Sequence, residues 1–61
     1  MTNKDIKRLA TVLADCLAHE RQVDKRHGII NAKEAVGDML HSDGHEKWSL
    51  FEKSWREAMG R

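Results

Sequence analysis

A long amphipathic stretch over residues 3–27 constrains the fold of this chain more than any other feature. At about 100° per residue, the repeat of an α-helix, apolar residues fall on one side and most charged residues on the other. The apolar side carries Ile6, Leu9, Ala10, Val12, Leu13, Cys16, Leu17 and Val23. The opposite side carries Lys4, Lys7, Arg8, Thr11, Ala14, Asp15, Ala18, Arg21, Gln22, Lys25 and Arg26. This separation predicts one helix from residue 3 to residue 27.

Both ends of this helix have sequence signals. Thr2 or Asn3 is placed to cap the first turn, because a short polar side chain there accepts a backbone N–H. Basic residues at positions 25–27 occupy the last turn, where they complement the negative end of the helix dipole. Gly28 follows in the place of a left-handed cap, a conformation that glycine adopts at little cost. We therefore expect the first helix to end just before Gly28.

Two further helices are predicted, over residues 32–41 and 44–59. Asn31 and Glu34 have the spacing of a capping box, which favours a helix start at this point. One side of this second helix carries Ala32, Ala35, Val36, Met39 and Leu40. The Ser-Asp-Gly segment at 42–44 has the composition of a turn. The chain has no proline and no alternation typical of a strand. These patterns predict an all-α chain with a long first helix, a short second helix and an aromatic-rich third helix.

Length and cysteine content limit the architecture further. A chain of 61 residues forms at most one small domain, residues 1–61, with a thin core. The single cysteine excludes an internal disulfide framework. Without a signal peptide or a long apolar run, we expect a cytoplasmic protein that does not enter a membrane. The predicted structure is therefore a small three-helix unit that gains buried area cheaply by self-association.

Basic residues on the charged side of the first helix support one functional hypothesis. They are Lys4, Lys7, Arg8, Arg21, Lys25 and Arg26. Such a row can follow a phosphate backbone, and the second and third helices with their turn suggest a helix-turn-helix. The net charge is only +1, however, and Glu46, Glu52 and Glu57 on the third helix would repel phosphates. A small DNA-binding transcriptional regulator is therefore kept as the alternative function.

Cysteine and histidine spacing raises the question of a metal site. Cys16 and His19 are three residues apart, His41 and His45 are four apart, and such ligands can hold zinc. The turn at 42–44 interrupts the helix between the two histidines, and Cys16 falls in the apolar stripe, where a buried core cysteine is expected. We therefore predict no metal site and keep these four residues only as an alternative ligand set.

The sequence also lacks a recognisable catalytic pattern. A Cys16–His19 pair in the middle of a helix has no third group to orient the histidine. A glycine-rich phosphate loop is absent. A chain of this size has little room for a pocket of roughly several hundred cubic ångströms beside its core. We predict a protein that is not an enzyme and that uses no cofactor.

The third helix carries more apolar surface than one small core requires. Trp48, Phe51, Trp55 and Met59 form a row at helical spacing, and Leu50 lies on the opposite side. A helix that is apolar on more than one side needs more than one neighbour. Tryptophan and methionine are also enriched at protein interfaces. We therefore predict that Trp48, Leu50, Trp55 and Met59 bind a partner.

Together these patterns favour a protein that acts by binding other proteins. We expect a symmetric homodimer, in which the same surface of each subunit pairs with itself. The expected function is that of a small non-enzymatic regulator, an adaptor, an inhibitor or an anti-activator of another protein. The small size also suggests a phage or mobile-element accessory protein.

Overall fold

Three helices joined by short connections make up the fold, and the computed structural model describes residues 1–60. Helix α1 spans Asn3–His19, α2 spans Val23–Asp43 and α3 spans His45–Met59. Within the described range no residue is in a strand, so the predicted all-α, three-helix class is confirmed. The third helix begins within one residue of its predicted position. Among these residues no helix is both long enough and apolar enough to cross a membrane.

The core lies where α1 and α2 pack against α3. Ile6 of α1 and Phe51 of α3 are fully buried, and Ala10 and Leu40 complete the buried cluster. Helix α1 makes its most extensive contacts with α3, whereas α1 and α2 touch each other least. The buried cluster is therefore small, and the side of the molecule between α1 and α2 is the least closed.

The first helix is shorter than predicted, because it ends at His19 and not at residue 27. Glu20 has an extended backbone conformation, and its carboxylate accepts the N–H groups of Arg21 and Gln22 at 3.0 and 3.1 Å. These hydrogen bonds hold residues 20–22 in a connection between two helices. The prediction of one helix over residues 3–27 was therefore wrong.

Arg26 stabilises this connection from the other side. Its guanidinium Nη1 donates to the carbonyl oxygen of Leu17 at 2.6 Å and to that of Glu20 at 3.0 Å. The last carbonyl groups of a helix have no partner within the helix itself, so they need donors from elsewhere. Arg26 supplies such a donor for the end of α1, although it belongs to the second turn of α2.

The second helix is longer than predicted and is the longest of the three. Gly28, expected as a cap with positive φ, and Asn31, expected at a helix start, both lie inside α2. Helix α2 continues through both positions, and Lys33 in the turn that follows contacts Glu52 and Trp55 of α3. The predictions of a short second helix over 32–41 and of a cap at Gly28 were wrong.

The buried side of α1 is rotated relative to the predicted one. Its buried residues are Ile6, Ala10, Ala14 and Leu17. Ala14 was assigned to the charged side, whereas Cys16, expected in the core, is exposed and Val12 is 49% exposed. Cys16 precedes Leu17 by 100° of helical rotation, which turns it away from the buried line. Helix α1 therefore leaves part of its apolar stripe uncovered.

Gly44 alone connects α2 to α3. Its φ of +153° lies in a region that residues with a side chain rarely adopt. Its N–H donates to the carbonyl groups of Leu40 and His41, which closes the end of α2. Beside it, a hydrogen bond from Lys47 and the positive charge of that residue lower the pKa of Asp43. The corner is therefore set by a glycine with positive φ and by a surface ion pair.

Candidate functional site

A groove between α1 and α2 is lined mainly by apolar side chains. It has a volume of about 300 Å³. Its walls are formed by Met1, Leu9, Val36, Met39, Leu40 and Asp43. Met39 is 73% exposed, the largest exposure among the large apolar residues. The groove therefore presents apolar side chains to whatever lies outside it.

The groove exists because two apolar stripes are wider than the core they share. On α1, Leu9 and Leu13 pack against the edge of the core, and Val12 lies beyond them in solvent. On α2, Val36 has the same half-buried position, and Met39 continues the stripe outward. Because α1 and α2 touch little, their uncovered flanks face a common opening.

The two ends of the helices that border the groove carry opposite charges. The groove brings Met1 and Leu9 together with Met39 and Leu40, so the beginning of α1 lies beside the end of α2. Three exposed cations belong to that part of α1, namely Lys4, Lys7 and Arg8, with Asp5 between them. Two exposed carboxylates belong to that part of α2, namely Asp38 and Asp43, and Asp43 is ion-paired with Lys47.

The predicted partner-binding residues of α3 lie mostly against the core of the same chain. Trp48, Leu50 and Trp55 are half-buried and pack on the central cluster. Met59 is 41% exposed, at the end of the helix. The two indoles and Leu50 thus have neighbours within the chain but keep part of their surface in solvent, and their assignment to a partner stays a prediction. Met59 alone of this set presents substantial apolar surface.

Each indole also has a polar or aromatic neighbour. The rings of His41 and His45 lie 5.6 and 5.4 Å from the ring of Trp48, measured between centroids. Lys33 places its ammonium group 5.4 Å from the centre of the Trp55 ring, within reach of a cation–π interaction. The same ammonium contacts both carboxylate oxygens of Glu52, at 2.8 and 2.9 Å. These contacts connect α2 to α3 and account for the positions of both tryptophans.

The basic residues proposed to follow a nucleic acid do not form one continuous helical face. Lys4, Lys7 and Arg8 are on α1, whereas Arg21 lies in the connection at 20–22 and Lys25 lies on α2. The sixth member of the set, Arg26, is half-buried and holds the end of α1. A single residue, Gly44, connects α2 and α3, whereas a helix-turn-helix uses a turn of about three or four residues.

The four residues of the alternative metal set are not brought together. Within residues 1–60, no three or more His, Cys, Asp or Glu side chains are placed to hold one metal ion. His19 bonds through Nδ1 to the carbonyl oxygen of Asp15 on its own helix, at 2.8 Å. His41 and His45 lie edge to face, 5.9 Å apart, next to Trp48. Cys16 is exposed on α1.

A second, more polar cavity of about 260 Å³ lies between α1 and α3. It is lined by Lys7, Thr11, Leu50, Lys53, Ser54 and Glu57. Ser54 is the one buried polar residue, and the hydroxyl of Thr11 donates to the carbonyl oxygen of Lys7 within α1. The charged groups around it are exposed to solvent. This cavity has the character of a solvated cleft between two helices.

The sequence interpretation missed the groove although it identified the residues that form it. Leu9, Val36 and Met39 were each assigned to an apolar stripe facing the core. The available signal was the width of the two stripes, because five apolar positions on the predicted second helix and eight on the predicted first helix exceed what one narrow contact can cover. Which flank stays uncovered depends on how the helices pack, and this is not a local property of the sequence.

Comparison with known proteins gives no relative from which a function could be transferred: no protein-family model, no curated protein and no solved structure matches this chain.

Proposed function

We propose that this chain is a small non-enzymatic protein-binding regulator that docks through the groove between α1 and α2. Adaptor, inhibitor and anti-activator are the forms that such a regulator takes. The single observation that supports the proposal is Met39, which lies 73% exposed on the wall of a predominantly apolar groove. Apolar surface kept in solvent is characteristic of binding sites for other molecules.

The chemistry of the groove suits an apolar protein segment. Met1 and Met39 contribute flexible, polarizable side chains that adapt to irregular apolar shapes. Leu9, Val36 and Leu40 form the more rigid part of the wall. A groove of this kind accepts the apolar face of an amphipathic helix, a recurring mode of protein recognition. A helix or a helix pair is therefore the expected binding element of the partner.

Nucleic-acid binding has less support. Binding to a phosphate backbone depends on several cations that act along one surface. Here Arg26 is engaged in hydrogen bonds to the end of α1, and Glu52 and Glu57 lie on α3. The groove itself ends at a carboxylate, Asp43. These features favour a protein partner over DNA or RNA.

Site-specific photocrosslinking tests the proposed function. A photoreactive phenylalanine analogue in place of Met39 is expected to give discrete adducts with a protein other than this chain in cells, because its side chain lies where that partner docks. The same analogue in place of Lys53, an exposed residue between α1 and α3, serves as the control and is expected to give none. An identical set of adducts from both positions, or none from position 39, would contradict the proposal.

A further inference from the structure

We infer that the occupant of the groove is a second copy of this chain, which forms a two-fold symmetric dimer. The inference rests on the proposed docking groove and names the chain that covers it when no other protein is bound there. The dimer places α1 of one copy over α2 of the other. Its support is the arrangement of the two helices, the distribution of charge along them and the small size of the core.

The arrangement of the helices makes a two-fold contact possible. The groove shows that the beginning of α1 lies beside the end of α2, because Leu9 and Met39 line the same space. A two-fold axis parallel to the groove places α1 of one copy opposite α2 of the other. It leaves each helix end at the same level along the axis. The beginning of α1 in one copy then lies over the end of α2 in the other, and the same contact occurs twice.

Charge makes this contact self-complementary. Lys4 and Arg8 are one helical turn apart on the first half of α1, and both are exposed. Asp38 is exposed on the second half of α2, beside Met39. Neither Arg8 nor Asp38 takes part in an ion pair within the described chain, whose two ion pairs are Lys33–Glu52 and Lys47–Asp43. The dimer therefore brings Arg8 of each copy towards Asp38 of the other.

The buried area that a second copy adds is large relative to the core of one chain. A standard interface covers about 800 Å² of each partner, which is about a sixth of the 4568 Å² accessible surface. It would remove Met39 and Val12 from water, together with the half-buried Leu9, Leu13 and Val36. Small domains commonly obtain stability in this way when their own core is thin.

Sedimentation equilibrium with two methionine variants tests the position of the interface. The wild-type chain is expected to reach twice its 7.0 kDa mass in the micromolar range. Met39→Lys is expected to weaken association by about a hundredfold, because it places a charge in the apolar contact. Met59→Lys, a change at another exposed methionine at the end of α3, is expected to leave the dimer unchanged. Circular dichroism should show the same helicity for both variants.

A charge exchange tests the orientation of the two copies. Arg8→Asp and Asp38→Arg are each expected to weaken self-association by about tenfold, because each puts like charges together at two symmetric contacts. Mixed in equal amounts, the two variants are expected to form a heterodimer of wild-type affinity, because both contacts then join opposite charges. Failure of the mixture to associate better than either variant alone would overturn this arrangement.

The failure of this inference is distinguishable from that of the proposed function. A monomeric mass at all concentrations, or a dimer that Met59→Lys disrupts and Met39→Lys does not, overturns the inference. If a monomeric chain still gives adducts with a different protein from position 39, the groove remains a docking surface and the proposed function stands. If the dimer forms through another surface and position 39 gives no adduct, both proposals fail.

Discussion

Gly28 lies inside α2, and an added Cβ would meet no other atom within 4 Å. Glycine in the interior of a helix costs about 0.5–1 kcal/mol relative to alanine, because it loses more backbone freedom on folding. We therefore predict that Gly28→Ala raises the free energy of unfolding by about that amount. Urea denaturation followed by circular dichroism measures the change. A clear loss of stability would mean that Gly28 caps a helix, as the sequence pattern indicated.

Gly44 provides the opposite case. Its φ of +153° is accessible to glycine and strained for every L-residue with a side chain. Gly44→Ala is therefore predicted to lower the free energy of unfolding by about 1–3 kcal/mol, although open space surrounds the position. The same urea titration measures it, with Gly28→Ala as the matched control. Equal changes in the free energy of unfolding for Gly28→Ala and Gly44→Ala would contradict the backbone conformation described for one of these two glycines.

These two glycines show what single residues predict and what they do not. Thr2 was predicted as a possible cap, and its hydroxyl accepts the N–H of Asp5 at 3.2 Å. That contact depends on residues three apart, so local sequence was sufficient. Gly28 after three basic residues has the same local appearance as a helix end, yet it lies within a helix. The difference arises from the packing of α2 on α3, which joins residues that are far apart in the sequence.

Among the connections between helices, the one at residues 20–22 depends most on one side chain. Arg26→Ala is predicted to lower the free energy of unfolding by about 1–3 kcal/mol, because two carbonyl groups lose a charged donor. Arg21→Ala, at an exposed arginine of the connection, is expected to change stability by less than about 0.5 kcal/mol. Thermal or urea unfolding measures both, and equal losses would contradict the role of Arg26.

The interruption between α1 and α2 could not be located from the sequence for a related reason. Residues 20–22 contain no glycine or proline, although the apolar stripe thins here, where Glu20 and Asp24 occupy positions that would continue it. The interruption is held by the carboxylate of Glu20 and by Arg26, which bonds to a carbonyl nine residues earlier. Such a contact forms only after the chain has turned. By contrast, α3 was placed correctly, because its aromatic row and the turn before it are both local signals.

At the scale of the whole molecule, the dimer predicts that stability depends on concentration. A hundredfold increase in chain concentration is expected to raise the melting temperature by about 5–10 °C, because association stabilises only the folded chain. Scanning calorimetry at the two ends of that range measures it. Met39→Lys is expected to abolish the dependence while the chain stays helical. A melting temperature that is independent of concentration for the wild type would contradict a dimer linked to folding.

The position of the uncovered apolar surface is also a property of the whole molecule. The sequence interpretation expected uncovered apolar groups and assigned them to Trp48, Leu50 and Trp55. The fold packs these three against the core and leaves them half-buried, whereas Met39 is 73% exposed. The composition indicated that the apolar residues have more surface than one small core can bury. The location of the uncovered apolar surface depends on how α1 is rotated about its own axis. The buried Ala14 and the exposed Cys16 show this rotation in the folded chain.

The brevity of the connections has a consequence for the lifetime of the protein. Between Asn3 and Met59, only residues 20–22 and Gly44 lie outside a helix, so a protease finds almost no extended backbone to enter its active site. Digestion must then wait for the molecule to open as a whole, and its rate follows the unfolded fraction. A chain that is stabilised by pairing should therefore persist in the cell when it is abundant and be cleared quickly when it is scarce.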